Sequence, residues 1–152
     1  MSDKPKFVYV TYIASTPEKV FDALTDGPMS EHYWSGNRLE SDWKVGAPVR
    51  LKLKHQTSDV TGQVLEVDRP RRLAYTFVGH GDFAAEGPTR VVFDIEAHKD
   101  QVKLTVSHDG FQAGSKMFEA ISGGWPHVLS SLKSYLESGT GLNAPWYQAA
   151  SA

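Results

Sequence analysis

The chain contains no cysteine. That excludes a disulfide framework, a thiolate nucleophile and a thiolate-ligated zinc, and it makes the reducing cytoplasm the expected compartment. Cationic excess is also missing: 16 Lys and Arg against 18 Asp and Glu leave a formal net charge of −2. Such a chain has no reserve of positive charge to neutralise a phosphate backbone, the main source of nucleic-acid affinity, so nucleic acid is not an expected partner. The local basic run of Arg69, Arg71 and Arg72 around Pro70 reads as a solvated turn. Long apolar runs are absent as well. Met1 to Lys6 is polar and leads directly into a strand pattern, so neither a signal peptide nor a membrane span is expected.

Motifs for covalent or metal chemistry are equally scarce. No G-x-S-x-G elbow occurs, and Ser130 and Ser131 stand among apolar neighbours of a helical pattern, where surface or packing positions are expected. His32, His55, His80, His98, His108 and His127 are scattered without the spacing of a metal site, so no metal and no cofactor is expected. Gly79-His80-Gly81-Asp82 is too short, and too poor in lysine, for a phosphate-binding loop.

What remains is ordinary globular material: 152 residues, 40% hydrophobic and 22% charged, in the usual range for one domain with one core. Residues 1–139 are expected to form that domain, and 140–152 a mobile tail whose Trp146 and Tyr147 have the option of docking back.

The elements follow from local pattern. Phe7 to Ala14 is rich in Val, Tyr, Thr and Ile and reads as a strand. Thr16, Pro17 and Glu18 form a helix start, with Val20, Phe21 and Leu24 on one side and Asp26-Gly27-Pro28 as the stop. A second short helix is expected over Ser30 to Trp34. Val49, Leu51 and Leu53 then alternate with Arg50, Lys52 and Lys54, the signature of a strand with one buried and one wet face. Further strands are expected at Asp59 to Val67, Leu73 to Val78, Arg90 to Ala97 and Gln101 to His108, with short links that favour antiparallel neighbours. Phe118, Ile121, Trp125, Val128, Leu132 and Tyr135 recur at helical spacing, so one long amphipathic helix closes the domain near Gly139. Pro126 within it predicts a kink or a loosened turn, because the Ser122 carbonyl loses its partner.

These elements contain four stretches of a recognisable kind: Thr16-Pro17-Glu18-Lys19-Val20-Phe21-Asp22-Ala23-Leu24-Thr25; Gly62-x-Val64-Leu65-Glu66-Val67 with Pro70-Arg71-Arg72-Leu73; Thr105-x-x-His108-x-Gly110; and Gly124-Trp125-x-x-x-Leu129-x-x-Leu132-x-x-x-Leu136-Glu137. In that order they resemble the activator of heat-shock-protein-90 ATPase homologue family, within the START-like, pollen-allergen-like (SRPBCC) helix-grip superfamily. The resemblance spans Phe7 to Leu136 and implies an α+β helix-grip fold: a curved antiparallel sheet of six or seven strands around a long C-terminal helix, with two short helices after the first strand. It further implies a hollow domain for small apolar or amphipathic molecules, with relatives ranging from lipid carriers to polyketide cyclases and co-chaperone domains. The eukaryotic activator carries a separate N-terminal domain ahead of its version of this one, and nothing comparable precedes Phe7. That weights the expectation away from a chaperone role.

The leading expectation is therefore non-catalytic binding of a small hydrophobic or amphipathic molecule between sheet and helix. The alternatives are a co-chaperone that stimulates an Hsp90-type ATPase, and a cavity enzyme such as a polyketide cyclase or hydrolase, which needs His108 beside a carboxylate. Tyr75, Phe77, Phe93, Val106, His108, Phe118, Ile121 and Trp125 are the candidate cavity-lining residues. His108 continues the inward alternation of Val102, Leu104 and Val106, so it faces either a ligand or a buried backbone partner. Ser122, Gly123 and Gly124 remove side-chain volume, which leaves room or permits a close backbone approach. Tyr33, Trp34 and Trp43 are candidates for a lid, for packing or for a partner surface.

Overall fold

The computed structural model describes residues 4–54 and 56–142. Strand β1 (Phe7–Ile13) is followed by helices α1 (Pro17–Thr25) and α2 (Gly27–Tyr33), then by β2 (Arg38–Ser41), β3 (Pro48–Lys52), β4 (Val60–Asp68) and β5 (Arg72–Phe77). A short 3-10 turn (Gly81–Glu86) leads to β6 (Thr89–His98) and β7 (Gln101–Asp109), and α3 (Lys116–Ser138) ends the described fold.

Side-chain caps place the short helices. The Thr16 hydroxyl accepts from the Lys19 amide at 3.3 Å, and Pro17 occupies the first turn, where its missing N–H costs nothing. Asp26 ends α1 and caps α2, accepting from the Met29 amide at 3.0 Å. Helix α2 therefore starts at Gly27, ahead of the expected Ser30, because the turn that stops one helix caps the next. The long helix opens in the same way. Ser115 Oγ accepts from the Phe118 amide at 2.9 Å, and the Glu86 carboxylate accepts from the Lys116 and Met117 amides at 3.1 and 3.2 Å. Helix α3 runs through Pro126 and stops at Gly139, whose φ of +87° is the left-handed conformation that glycine tolerates best.

All seven strands are antiparallel, in the order β1-β7-β6-β5-β4-β3-β2. The strand absent from the sequence reading is β2. It carries a single core residue, Leu39, between Arg38, Glu40 and Ser41, so it offers no alternation to detect. Its pairing with β3 is accompanied by an ion pair from Lys52 to Glu40 at 3.4 Å. Gly62 in β4 has a specific cause: a Cβ there would run into the Thr76 carbonyl oxygen of β5.

The curved sheet grips α3, whose Met117, Trp125, Val128, Leu129 and Leu132 enter one continuous core with Ile13, Leu73, Phe93 and Leu104. At the far end, Lys133 donates to the Tyr12 carbonyl at 2.7 Å and Glu137 accepts from the Ala14 amide at 2.8 Å, tying the helix to the β1 edge. The first tail residues fold back onto the helix. The Leu142 amide donates to Ser131 Oγ at 2.8 Å, and Gly141 passes so close to the His32 carbonyl that a side chain would collide with it. Trp146 and Tyr147, with the rest of the expected mobile tail, lie outside the described residues. Among the described residues no helix is long and apolar enough to cross a membrane.

Candidate functional site

Between the N-terminal half of α3 and the β3–β5 part of the sheet lies a partly open cavity of about 590 Å³. Its sheet wall is Leu51 of β3, Val60 of β4 and Phe77 of β5. Helix α3 supplies Met117, Ala120, Ile121, Gly124, Trp125 and Val128, of which Ala120 and Gly124 carry the least side-chain volume. Trp34, Ser35 and Asn37 close one side after α2. Leu53 and Gln56 come from the β3–β4 loop, and Gly79, His80 and Phe83 from the segment after β5. These two loops are joined by a hydrogen bond from the Gly81 amide to Ser58 Oγ at 2.8 Å. A Cβ on Gly123 would meet nothing within 4 Å, so close approach to the sheet does not explain that glycine.

Of the candidate lining residues, Phe77, Ile121 and Trp125 are brought together in this wall. Tyr75, Phe93, Val106 and His108 point inward as alternation predicts, but they are buried behind the wall. Phe118 packs edge-on against Phe111, with ring centroids 5.3 Å apart, and does not line the cavity. The reason is the Trp125 indole, which lies over Phe93, Phe77 and His108 at centroid distances of 5.8, 6.2 and 6.2 Å. It fills the space above β6 and β7 and displaces the free volume toward β3 and β4. Leu51, Val60, Met117 and Phe83 were missed for that reason; the alternation of β3 had at least placed Leu51 inward.

The three aromatics after α1 divide. Trp34 is cavity wall, 5.5 Å from the Trp125 ring. Tyr33 is packing, its hydroxyl donating to the Ala23 carbonyl at 2.8 Å, and burial pushes its phenol pKa up. Trp43 packs on Tyr75 at 5.9 Å and donates to the Thr25 carbonyl at 2.7 Å. Burial raises the Tyr75 phenol pKa too.

Behind the wall a directional chain of hydrogen bonds runs through His108. The Trp125 indole N–H donates to Nδ1 at 3.0 Å, and since an indole nitrogen only donates, Nδ1 must be unprotonated. Nε2 therefore carries the proton and donates to Thr89 Oγ1 at 2.7 Å, and the Thr89 hydroxyl donates to the Phe77 carbonyl at 2.8 Å. Every member is satisfied, which is what a buried polar group requires. Protonation of the ring would set an N–H against the indole N–H. Burial accordingly lowers the His108 pKa to about 4, against a smaller opposing pull from Asp109. The Asp109 carboxylate pairs with Arg90 at 3.1 Å, and both His108 nitrogens are engaged within the protein, so this histidine is not poised as an acid or base toward the cavity. No group of three or more His, Asp or Glu able to hold a metal occurs among the described residues.

Residues 14–137 match the family described as Activator of Hsp90 ATPase homolog 1-like protein. The fold superimposes on the solution structure of the Aha1 dimer from Colwellia psychrerythraea with a TM-score of 0.76 at 20% identity, covering 90% of this chain and 99% of that one. A crystal structure of a Mesorhizobium loti protein gives 0.77 at 22% identity over 87% and 96% of the two chains. An HSP90 activator from Plasmodium falciparum gives 0.70 at 20% identity over 86% and 95%. No curated protein matches the sequence. The family match covers most of the chain, from just after β1 almost to the end of α3, and the chain belongs to the Activator of Hsp90 ATPase homolog 1-like family.

Proposed function

We propose that the protein binds a small hydrophobic or amphipathic molecule, without transforming it, in the cavity between the sheet and α3. The observation that carries this reading is the cavity itself: about 590 Å³ of space lined mainly by apolar and aromatic side chains. That volume lies in the range of small-molecule sites, on the order of 300–1,000 Å³. Phe77, Ile121 and Trp125 are the lining residues shared by the sequence reading and the cavity wall, with Trp34, Leu51 and Phe83 added from the fold. Titration of isotope-labelled protein with neutral lipids and aromatic compounds tests the reading. Amide shifts are expected around Leu51, Phe77, Ile121 and Trp125, and to be lost in Gly124→Leu, which adds a bulky side chain at a lining position. Absence of any saturable shift across such a panel would sink it.

A second reading, stimulation of an Hsp90-type ATPase, is favoured by the family match and by the likeness to a structure described as an HSP90 activator. It predicts a raised ATPase rate when the protein is added to the chaperone. An unchanged rate together with no complex in a pull-down would remove it. The cysteine-free composition supports a cytoplasmic setting for either role.

A further inference from the structure

Among the described residues the cavity wall presents apolar surface and no fixed positive charge, and this deepens the binding reading on which it rests. None of the described residues lining it is Asp, Glu, Lys or Arg. Among the described residues three features near it have the capacity to stabilise an anion: two are committed within the protein, and the third is open to water.

The first is the indole N–H of Trp125, the hydrogen-bond donor of the most deeply placed aromatic wall residue. It is turned away from the cavity and donates to His108 Nδ1 at 3.0 Å, so the indole presents hydrocarbon to a ligand. The second is the N-terminus of α3, whose first residues adjoin the cavity through Met117. Free amides at a helix start attract anions. Here the Lys116 and Met117 amides donate to Glu86, whose carboxylate also accepts from Ser115 Oγ, so the position is filled by the protein's own negative charge. The third is Lys54, whose ammonium lies beside Gly36 at the polar lip. It is exposed and does not line the cavity, so water and salt screen its attraction.

Polar groups are nevertheless present, and they are grouped. Ser35, Asn37, Gln56 and His80 all belong to loops, whereas the lining contributed by β3, β4, β5 and α3 is apolar. Asn37 has its Oδ1 committed to the Lys54 amide at 2.9 Å. The amide and hydroxyl groups of Ser35, Asn37 and Gln56 exchange hydrogen bonds with a hydroxyl or carbonyl, but they do not offset the desolvation of a carboxylate. Trp34, Phe77, Phe83 and Trp125 supply aromatic surface on several sides, which suits a ring more than a flexible chain.

We infer that the site selects electrically neutral, ring-bearing molecules with one hydroxyl or carbonyl end, and discriminates against their anionic counterparts such as aryl and fatty carboxylates. The ring lies against the cavity faces of Phe77 and Trp125, and the polar end faces the loop residues Asn37 and Gln56.

The test is calorimetric or shift-perturbation titration of the full chain at pH 7 with matched pairs, 2-naphthol against 2-naphthoate and 1-decanol against decanoate, repeated with Gly124→Leu. Naphthol is expected to bind at least tenfold more tightly than naphthoate and more tightly than decanol, with binding lost in the variant. If naphthoate binds as well as naphthol, or decanoate as well as decanol, charge selection is overturned while the cavity reading stands. If decanol matches naphthol, the preference for rings is overturned. If none of the four binds, or if Gly124→Leu binds as the natural chain does, the cavity reading falls and this inference with it.

Discussion

Lowering the pH from 7 toward 4.5 should weaken the fold through one buried imidazole. His108 has an ordinary pKa near 6.5 and a native value of about 4, because burial opposes its charged form. Above pH 6.5 the ring is neutral in both folded and unfolded chains and contributes no pH dependence. Below 6.5 the unfolded chain takes up a proton that the folded chain refuses, so stability falls until the folded pKa is reached, near pH 4. At about 1.36 kcal/mol per pH unit, the loss by pH 4.5 is roughly 2–3 kcal/mol, a large share of the 5–15 kcal/mol typical of a domain. The assay is urea unfolding at pH 7, 6, 5 and 4.5 for the natural chain and for His108→Gln. The variant should start about 1–3 kcal/mol less stable at pH 7, because a flexible Gln amide does not reproduce the rigid ring that holds the Trp125 indole N–H and the Thr89 hydroxyl at once. Its profile should then fall less steeply, so that the two curves converge toward pH 4.5. Carboxylates titrate in both proteins and cancel in the difference. Parallel curves from pH 7 to 4.5 would refute the reasoning, because His108 would then titrate alike in the folded and unfolded chains.

Other outcomes follow from single contacts. Leu132→Ala, at a fully buried position of α3, should cost about 2–5 kcal/mol in urea unfolding, since the cavity it leaves lies in the centre of the core. Gly62→Val should abolish cooperative unfolding or depress Tm sharply, because its side chain meets the Thr76 carbonyl; an unchanged Tm would show that β4 and β5 can separate at that point. Glu86→Gln should lower Tm by weakening the cap on α3. The hydrogen bond from Ser115 Oγ, and after it those from the Met117 and Lys116 amides, hold the Glu86 carboxyl below the usual carboxylate range, so the stability it adds is present above the ordinary carboxyl pKa and is lost as pH falls through the lowered one. A Tm difference between Glu86→Gln and the natural chain that stays constant from neutral pH into strong acid would contradict that assignment.

Local chemistry along the chain determined most of the architecture. Alternation in Val49–Leu53 and Val102–His108 set which face of each strand turned inward, Thr16 and Pro17 set the start of α1, and Gly139 set the end of α3. Those signals are readable because capping and amphipathicity depend on residues within a turn or two of one another. The strand β2 was not readable because one inward Leu39 makes no pattern. The site was only partly legible for a related reason. Alternation names the face of a strand, and Tyr75, Phe93, Val106 and His108 do lie on the inner face. Which part of that face stays bare depends on where α3 crosses the sheet and on how the Trp125 ring settles. The ring is held by a bond to His108, which lies 17 residues away in sequence. Contacts of that range are made only when the sheet closes on the helix, so the sequence alone determined that there would be an inner surface, and the tertiary packing decided where that surface was left uncovered.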